Sequence, residues 1–170
     1  MKLVTAQQMQ TIDKQTIESF GIPGLVLMEN AGRGAFETLL DHFEDTEFES
    51  VCILAGRGNN GGDGFVIGRY LMERGIQTTM VLLSSSSKVQ GDAKINLELA
   101  EKLCRENQSG TIIEVPDKKT FNRHKVKLCH HDLFVDAILG TGLKSDVKGF
   151  FRSMIEWLND LKQPVFSVDI

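Results

Sequence analysis

Residues 51–72 read VCILAGRGNNGGDGFVIGRYLM. The apolar run Val51-Cys52-Ile53-Leu54 has the character of a buried strand and Phe65 to Met72 that of a helix, with Ala55 to Gly64 (AGRGNNGGDG) between them. A glycine-dense turn from strand to helix is how a chain brings backbone N–H groups against a phosphorylated ligand. Gly56, Gly58 and Gly61 satisfy GxGxxG, and the flanking strand and helix supply the context that a bare match lacks. Asn59, Asn60 and Asp63 add three polar side chains where close backbone approach wants none, so the segment is expected to bind more than phosphate.

Outward from this segment, strand and helix patterns alternate. Strands are expected at Ser50 to Ala55, Thr78 to Leu83, Thr111 to Val115, Asp132 to Leu139 and Pro164 to Asp169, and helices at Gly62 to Arg74, Gly91 to Glu106, Phe121 to Leu128 and Gly149 to Leu161. The strand runs are continuously apolar (VCILA, MVLL, LFVDAIL, VFSV), as in strands buried on both faces. The pattern predicts an α/β fold: a Rossmann-like three-layer αβα arrangement with a mostly parallel, doubly wound sheet. Two helices precede the first strand, one from Ala6, where Thr5 and Gln8 make a capping-box pattern, and one after Gly21-Ile22-Pro23. They are expected to form an N-terminal extension packed on the sheet. Ser84 to Ser87 reads as a solvated loop.

Composition sets the outer limits. The chain has 170 residues, 41% apolar and 25% charged, which suits one globular domain spanning residues 1–170. A net charge of -4, without basic residues interleaved with aromatics, gives no nucleic-acid footprint. No apolar stretch has the length of a membrane span and no signal peptide is apparent, so a cytoplasmic protein is expected. Cys52, Cys104 and Cys129 are odd in number and widely spaced, which argues against a disulfide framework or a structural zinc site; Cys52 is read as core. The histidines His42, His124, His130 and His131 fall away from the ligand-binding edge, and no GxSxG or HExxH is present.

In an open parallel sheet, ligands bind beyond the carboxyl ends of the strands. Three segments reach that edge: the glycine loop, Asp136-Ala137-Ile138-Leu139-Gly140-Thr141-Gly142-Leu143-Lys144, and Ser167-Val168-Asp169. Asp136 and Asp169 interrupt or close apolar runs there, and a buried carboxylate is costly unless paired, hydrogen-bonded or bound to a cation. Each has a bland reading as a cap or turn former; Asp63 has one as a carboxylate complementing the helix dipole, and Asn59 and Asn60 as turn formers. Asn60 and Asp136 with backbone carbonyls would suit a hard cation, which prefers oxygen ligands. A dehydrogenase would carry an acid at the end of the second strand to hold ribose hydroxyls. Here that place reads Leu82-Leu83-Ser84-Ser85, which counts against hydride transfer.

Four segments, Gly24-Leu25-Val26-Leu27-Met28-Glu29-Asn30-Ala31-Gly32, Gly58-Asn59-Asn60-Gly61-Gly62-Asp63-Gly64, Asp136 to Gly142 and Ser167-Val168-Asp169-Ile170, resemble in order and spacing the YjeF N-terminal domain family, the NAD(P)HX epimerases. The resemblance covers essentially the whole chain. It implies an isomerase of nicotinamide cofactor repair, which interconverts the R and S hydrates of NADH and NADPH so that a dehydratase can restore the cofactor. It further implies that the hydrated dinucleotide is held by Asn59, Asn60, Gly61, Gly62 and Asp63, by Gly140, Thr141, Gly142, Leu143, Lys144, Ser145 and Asp146, and by Asp169, while Asn60 and Asp136 hold a potassium ion. The family continues the last motif with Pro-Ser-Gly, whose serine is a cation ligand; the chain stops at Ile170. The domain is therefore expected to be truncated at its C-terminal end or to be one piece of a longer protein, with a fused ADP-dependent NAD(P)HX dehydratase as the expected neighbour.

The substrate that this resemblance implies carries hydroxyl and ring nitrogen on one carbon. Asp136 or Asp169 is the expected catalytic acid and base, with Lys144 and the glycine-loop N–H groups holding the pyrophosphate. Family members are commonly homodimers through the N-terminal helices; Met9, Ile12 and Ile17 offer an apolar face for such a contact or for packing on their own sheet. The alternative reading is a non-catalytic nucleotide- or RNA-binding scaffold module of the same fold.

Overall fold

A computed structural model of the chain describes residues 4–106, 108–143 and 146–169. Helices α1 (Ala6–Glu18) and α2 (Gly24–His42) precede strand β1 (Ser50–Ala55), helix α3 (Asn59–Glu73) and strand β2 (Gln77–Leu82). A 3-10 turn at Ser86–Lys88, α4 (Gly91–Glu106), β3 (Gly110–Glu114), α5 (Lys118–Leu128), β4 (Leu133–Ala137), α6 (Gly149–Asn159) and β5 (Val165–Ser167) complete the chain.

The five strands form one sheet in the order β3-β2-β1-β4-β5, with every pairing parallel. The chain runs outward from β1 to β3, then returns to the other side of β1 with β4. That reversal opens a crevice beyond the carboxyl ends of β1 and β4, where open sheets bind ligands. Alternate side chains of the central strands feed two cores. Val51, Ile53 and Ala55 of β1 and Leu133, Val135 and Ala137 of β4 pack with Phe65, Val66, Ile67, Leu71 and Met72 of α3. Cys52, Leu54 and Phe134 pack on the opposite face with Phe121 and Leu128 of α5 and Met154, Trp157 and Leu158 of α6. The expected three-layer, parallel, doubly wound arrangement is therefore present.

The main departure is the start of α3. The helix begins at Asn59, before the expected Gly62, with Gly58 as an extended N-cap. Positive φ angles occur at Gly21, Gly75, Gly91 and Gly149 and at none of the glycines between Gly56 and Gly64. These glycines serve close approach instead of turn geometry. A Cβ on Gly61 would lie 2.0 Å from the Gly56 carbonyl oxygen, and one on Gly56 would lie 2.0 Å from that of Ile138. Contact with backbone atoms cannot be relieved by a rotamer change, so only glycine lets α3 settle onto the end of the sheet.

The N-terminal extension also differs. The Thr5 capping box forms, with the Gln8 N–H donating to Thr5 Oγ1 and the Thr5 N–H to Gln8 Oε1. However, α1 buries none of its residues and does not pack on the sheet; Met9, Ile12 and Ile17 remain 41–45% exposed. The layer on the α3 side of the sheet is already supplied by α3 and by α4, whose Ala93, Leu97 and Ala100 join the same core. Helix α2 forms a further layer, burying Met28, Gly32, Phe36 and Leu39, with Gly62 of α3 set against Met28 and Val66 against Gly32. Ser84 is buried, in contrast to the expected solvated loop.

Candidate active site

The first turn of α3 lies over the carboxyl edge of the sheet. Gly62 is the first residue of the turn to donate a helical bond, to the Gly58 carbonyl at 3.0 Å. The amides before it have no acceptor within the helix, which is the usual basis of anion binding at a helix N-terminus. The side chain of Asn60 is tucked beneath this turn at 8% exposure. Its Nδ2 donates to the Leu139 carbonyl at 2.9 Å. That bond fixes the amide orientation, because the flipped amide would set oxygen against oxygen. Asn60 Oδ1 is consequently a buried acceptor, and it has no hydrogen-bond donor. An uncompensated buried acceptor costs about 1–3 kcal/mol, and a hard cation or a bound donor would remove that cost. The donor set, an amide oxygen near a carboxylate and loop carbonyls, fits a potassium-type ion.

Asp136 lies one residue before the end of β4, in register with Leu54 and Ser167. Its Oδ1 accepts the Ile138 N–H at 3.0 Å. Burial pushes its carboxyl above the usual range and the Ile138 bond opposes that shift. By strand alternation Asp136 shares the face of Phe134, whereas Asn60 comes from the α3 side. The two meet at the loop 138–140, which Asn60 binds at Leu139 and Asp136 at Ile138.

The second carboxylate follows β5, where the Val168 N–H donates to the Asp136 carbonyl at 3.0 Å. Asp169 Oδ2 accepts the Thr141 N–H at 2.8 Å. Gly140 is sandwiched here: a Cβ on it would sit 2.5 Å from Asp169 Oδ2 and 3.2 Å from Asn60 Cβ. Asp169 and Asn60 therefore flank the same backbone position. The third carboxylate, Asp63, is half-buried on the second turn of α3 and pushed up to about 7, first by burial and then by the neighbouring Asp169 and Asp13 carboxylates. Because α3 starts at Asn59, Asp63 lies outside its first turn, so the dipole-complement reading loses its position.

Asn59 to Asp63, Asp136, Gly140, Thr141 and Asp169 are thus gathered at one end of the sheet. Gly142 and Leu143 continue the same loop, with the Leu143 N–H bonded to the Gly140 carbonyl, and Asp146 follows in exposed chain. Lys144, Ser145 and Ile170 lie outside the described residues. Asn59 and Asn60 are helical instead of turn formers. His131 is structural, its ring bridging the Leu128 carbonyl and Thr79 Oγ1. Cys52 is fully buried core, and burial drives its thiol upward.

Two features have no counterpart in the sequence reading. Asp13 of α1 adds its charge to the surroundings of Asp63, a long-range effect between helices far apart in sequence that no local pattern signals. Behind the site, Arg69 of α3 pairs with Glu29 of α2 and donates to Asn96 of α4 at 3.1 Å, while Tyr70 donates to Glu29 at 2.9 Å. Asn96 is fully buried. A polar residue on the apolar face of α4, and the glutamate within the Gly24 to Gly32 segment, were the available signals.

Residues 24–170 match the family described as YjeF-related protein N-terminus. The chain is 40% identical over 171 residues to the bifunctional NAD(P)H-hydrate repair enzyme Nnr of Salinibacter ruber, covering 99% of this chain and 31% of that protein. It is 35% identical over 167 residues to the NAD(P)H-hydrate epimerase of Rhodopirellula baltica, covering 98% of this chain and 64% of that one. The chain thus spans about a third of the length of the bifunctional relative. The crystal structure of yeast YNL200c superposes with a TM-score of 0.83 over all of this chain and 70% of that one, at 23% identity, which establishes the shared fold.

Proposed function

Since the chain belongs to the YjeF-related protein N-terminus family, we propose that it is an NAD(P)H-hydrate epimerase, the activity for which its relative from Rhodopirellula baltica is named. The observation that carries this reading is the convergence, at one crevice, of a helix N-terminus, a buried unsatisfied amide oxygen and three carboxylates. A scaffold module has no chemical need for such a set.

The first-turn amides of α3 bind the pyrophosphate of the hydrated dinucleotide, with Lys144 as a counter-charge. Asn59 to Asp63 and Gly140 to Asp146 line the rest of it. Asn60 and Asp136 would hold a potassium ion, which would supply fixed positive charge beside the dinucleotide. At the reacting carbon, the ring nitrogen's lone pair expels the hydroxyl as water and leaves an iminium-type cation. Water then adds on the other face. An acid must protonate the departing oxygen and a base must deprotonate the incoming one; Asp136 and Asp169 take these roles, and their charge favours the cationic intermediate.

Mixing the protein with pure R hydrate and following the S form by chromatography tests the reading. Rapid exchange, lost on Asp136→Asn in a folded protein, is the expected result. Absence of exchange by the wild-type protein would favour the scaffold alternative.

Further parts of this proposal are an ADP-dependent dehydratase fused in the full protein, in keeping with the bifunctional relatives, and a cytoplasmic setting. No helix among the described residues is long and apolar enough to cross a membrane. A homodimer through α1 is also proposed, supported by a helix that buries nothing in its own chain while exposing Met9, Ile12 and Ile17.

A further inference from the structure

We propose that Glu114, at the end of β3, is the specificity-determining residue for the adenosine end of the substrate: it receives the ribose hydroxyls and disfavours a ribose 2′-phosphate, so that the hydrate of NADH is preferred to that of NADPH. This rests on the epimerase reading and deepens it by naming which hydrate the crevice selects.

A dinucleotide has two halves, and the strand order gives each a side. With the pyrophosphate at the first turn of α3 and the reacting ring beside Asp136 and Asp169, after β4 and β5, the adenosine half extends the other way, over the carboxyl ends of β2 and β3. In doubly wound sheets the ribose there is held by an acid at the end of the second strand. Leu82-Leu83-Ser84-Ser85 lacks one.

The neighbouring strand supplies it. Glu114 closes β3 in register with Leu82, the last residue of β2. Partners in a parallel ladder share a face, and Leu82 packs in the core with α3, so Glu114 stands on the α3 side of the sheet. The three strand ends are joined in step, with the Leu83 N–H donating to the Ala55 carbonyl at 2.9 Å and the Val115 N–H to the Leu82 carbonyl at 2.8 Å. Two strand spacings, about 10 Å, thus separate Glu114 from the root of the glycine loop, a span that a nucleoside bridges.

The serine turn after β2 is fastened to this carboxylate. The Ser86 N–H donates to Glu114 Oε1 at 3.1 Å, the Ser85 and Ser87 hydroxyls bond to each other at 2.9 Å, and Ser84 and Val89 are buried at either end. The Ser86 bonds, from its hydroxyl and then its amide, hold the Glu114 carboxyl below the usual range. The residue is exposed at the carboxyl edge. A fixed, ionised carboxylate accepts hydrogen bonds from two adjacent ribose hydroxyls, whereas a 2′-phosphate sets like charges against each other. Lys94, the cation that acts on Glu114, also pairs with Glu98 at 3.6 Å, which limits how far it neutralises the carboxylate.

The test measures R-to-S exchange of the NADH and NADPH hydrates by wild type and Glu114→Gln, together with equilibrium binding of NADH and NADPH. Glutamine keeps an oxygen for the Ser86 N–H and removes the charge. Wild type is expected to have a kcat/KM about 10-fold or more higher on the NADH hydrate, with the difference in KM, and to bind NADH correspondingly more tightly than NADPH. In Glu114→Gln the preference should shrink to about 3-fold or less, through a lower KM for the NADPH hydrate, with kcat on both hydrates little changed. Equal or better use of the NADPH hydrate by wild type, or an unchanged ratio in Glu114→Gln, would overturn the role of Glu114 and leave the epimerase reading intact. Exchange of neither hydrate by wild type, with NADH still bound more tightly than NADPH and the difference erased in Glu114→Gln, would overturn the epimerase reading alone.

Discussion

The side-chain amide of Asn60 and the carbonyl of Leu139, 2.9 Å apart, tie the first turn of α3 to the loop after β4 and leave Asn60 Oδ1 buried with no donor. The bond positions the loop. Asn60→Ala removes both the bond and the buried oxygen, so its effect should divide in two. Without a cation, loss of the Leu139 bond costs about 1–3 kcal/mol while removal of the unsatisfied Oδ1 recovers a comparable amount, so melting in lithium chloride should change little. Thermal stabilisation of wild type by potassium over lithium chloride should also vanish in the variant, as melting in matched salts would show. Equal potassium effects in both proteins would remove Asn60 from any cation site.

Gly61→Ala is expected to be poorly tolerated although alanine is the better helix former. Its Cβ would lie 2.0 Å from the Gly56 carbonyl oxygen, and Gly56 is itself pressed on Ile138 by the same kind of contact. Relief requires lifting α3 from the sheet. Overpacking typically costs about 1–3 kcal/mol, against about 1 kcal/mol gained in helix propensity. Chemical denaturation should show a net loss. Gly58→Ala is the control, because its Cβ would meet nothing within 4 Å; equal losses in the two variants would refute close approach as the reason for glycine.

The alternation of apolar runs and helical stretches made the sheet and its layers legible, because strands covered on both faces have little choice but continuous Val, Ile, Leu and Phe. Location at the carboxyl edge then singled out Asp136 and Asp169 without any structure. The start of α3 was not legible: Asn-Asn-Gly-Gly has the composition of a turn, and its partners Ile138 and Leu139 follow β4, far along the sequence. The exposed position of α1 was hidden for a similar reason, since its apolar residues read equally well as facing the sheet or a partner. Asp13 near Asp63 depends on that placement and leaves no local trace.

The Arg69 network should act as a brace for the catalytic helix. Arg69→Met removes the partner of Glu29 and leaves the fully buried Asn96 Oδ1 without its donor, at about 1–3 kcal/mol for the unpaired acceptor. Tyr70→Phe removes one bond to Glu29 and should cost about 0.5–1.5 kcal/mol. Denaturant midpoints should follow that order. Because the brace lies behind the site, both variants should keep hydrate exchange at temperatures where they remain folded; a large kcat loss in a fully folded Arg69→Met protein would contradict a purely supporting role.

Asp63 should also leave a mark on stability. Its carboxyl rises from 3.8 to about 7 on folding, so the folded chain binds this proton more tightly than the unfolded chain. The associated stability is complete below about pH 3.8 and is lost as pH rises toward 7. Asp136 is shifted in the same direction by burial, whereas Asp132, held down chiefly by its bond from Ser50, stabilises above its unfolded pKa and loses that contribution as pH falls. Comparing wild type with Asp63→Asn cancels the groups common to both. In potassium-free buffer, the fall in Tm between pH 5 and pH 8 should be larger in wild type than in Asp63→Asn, and the variant should be the more stable protein at pH 8. Identical pH profiles would mean that the Asp63 carboxyl is ionised in the folded state throughout this range, and that the acidic surroundings supplied by Asp169 and Asp13 are too well solvated to hold a proton there.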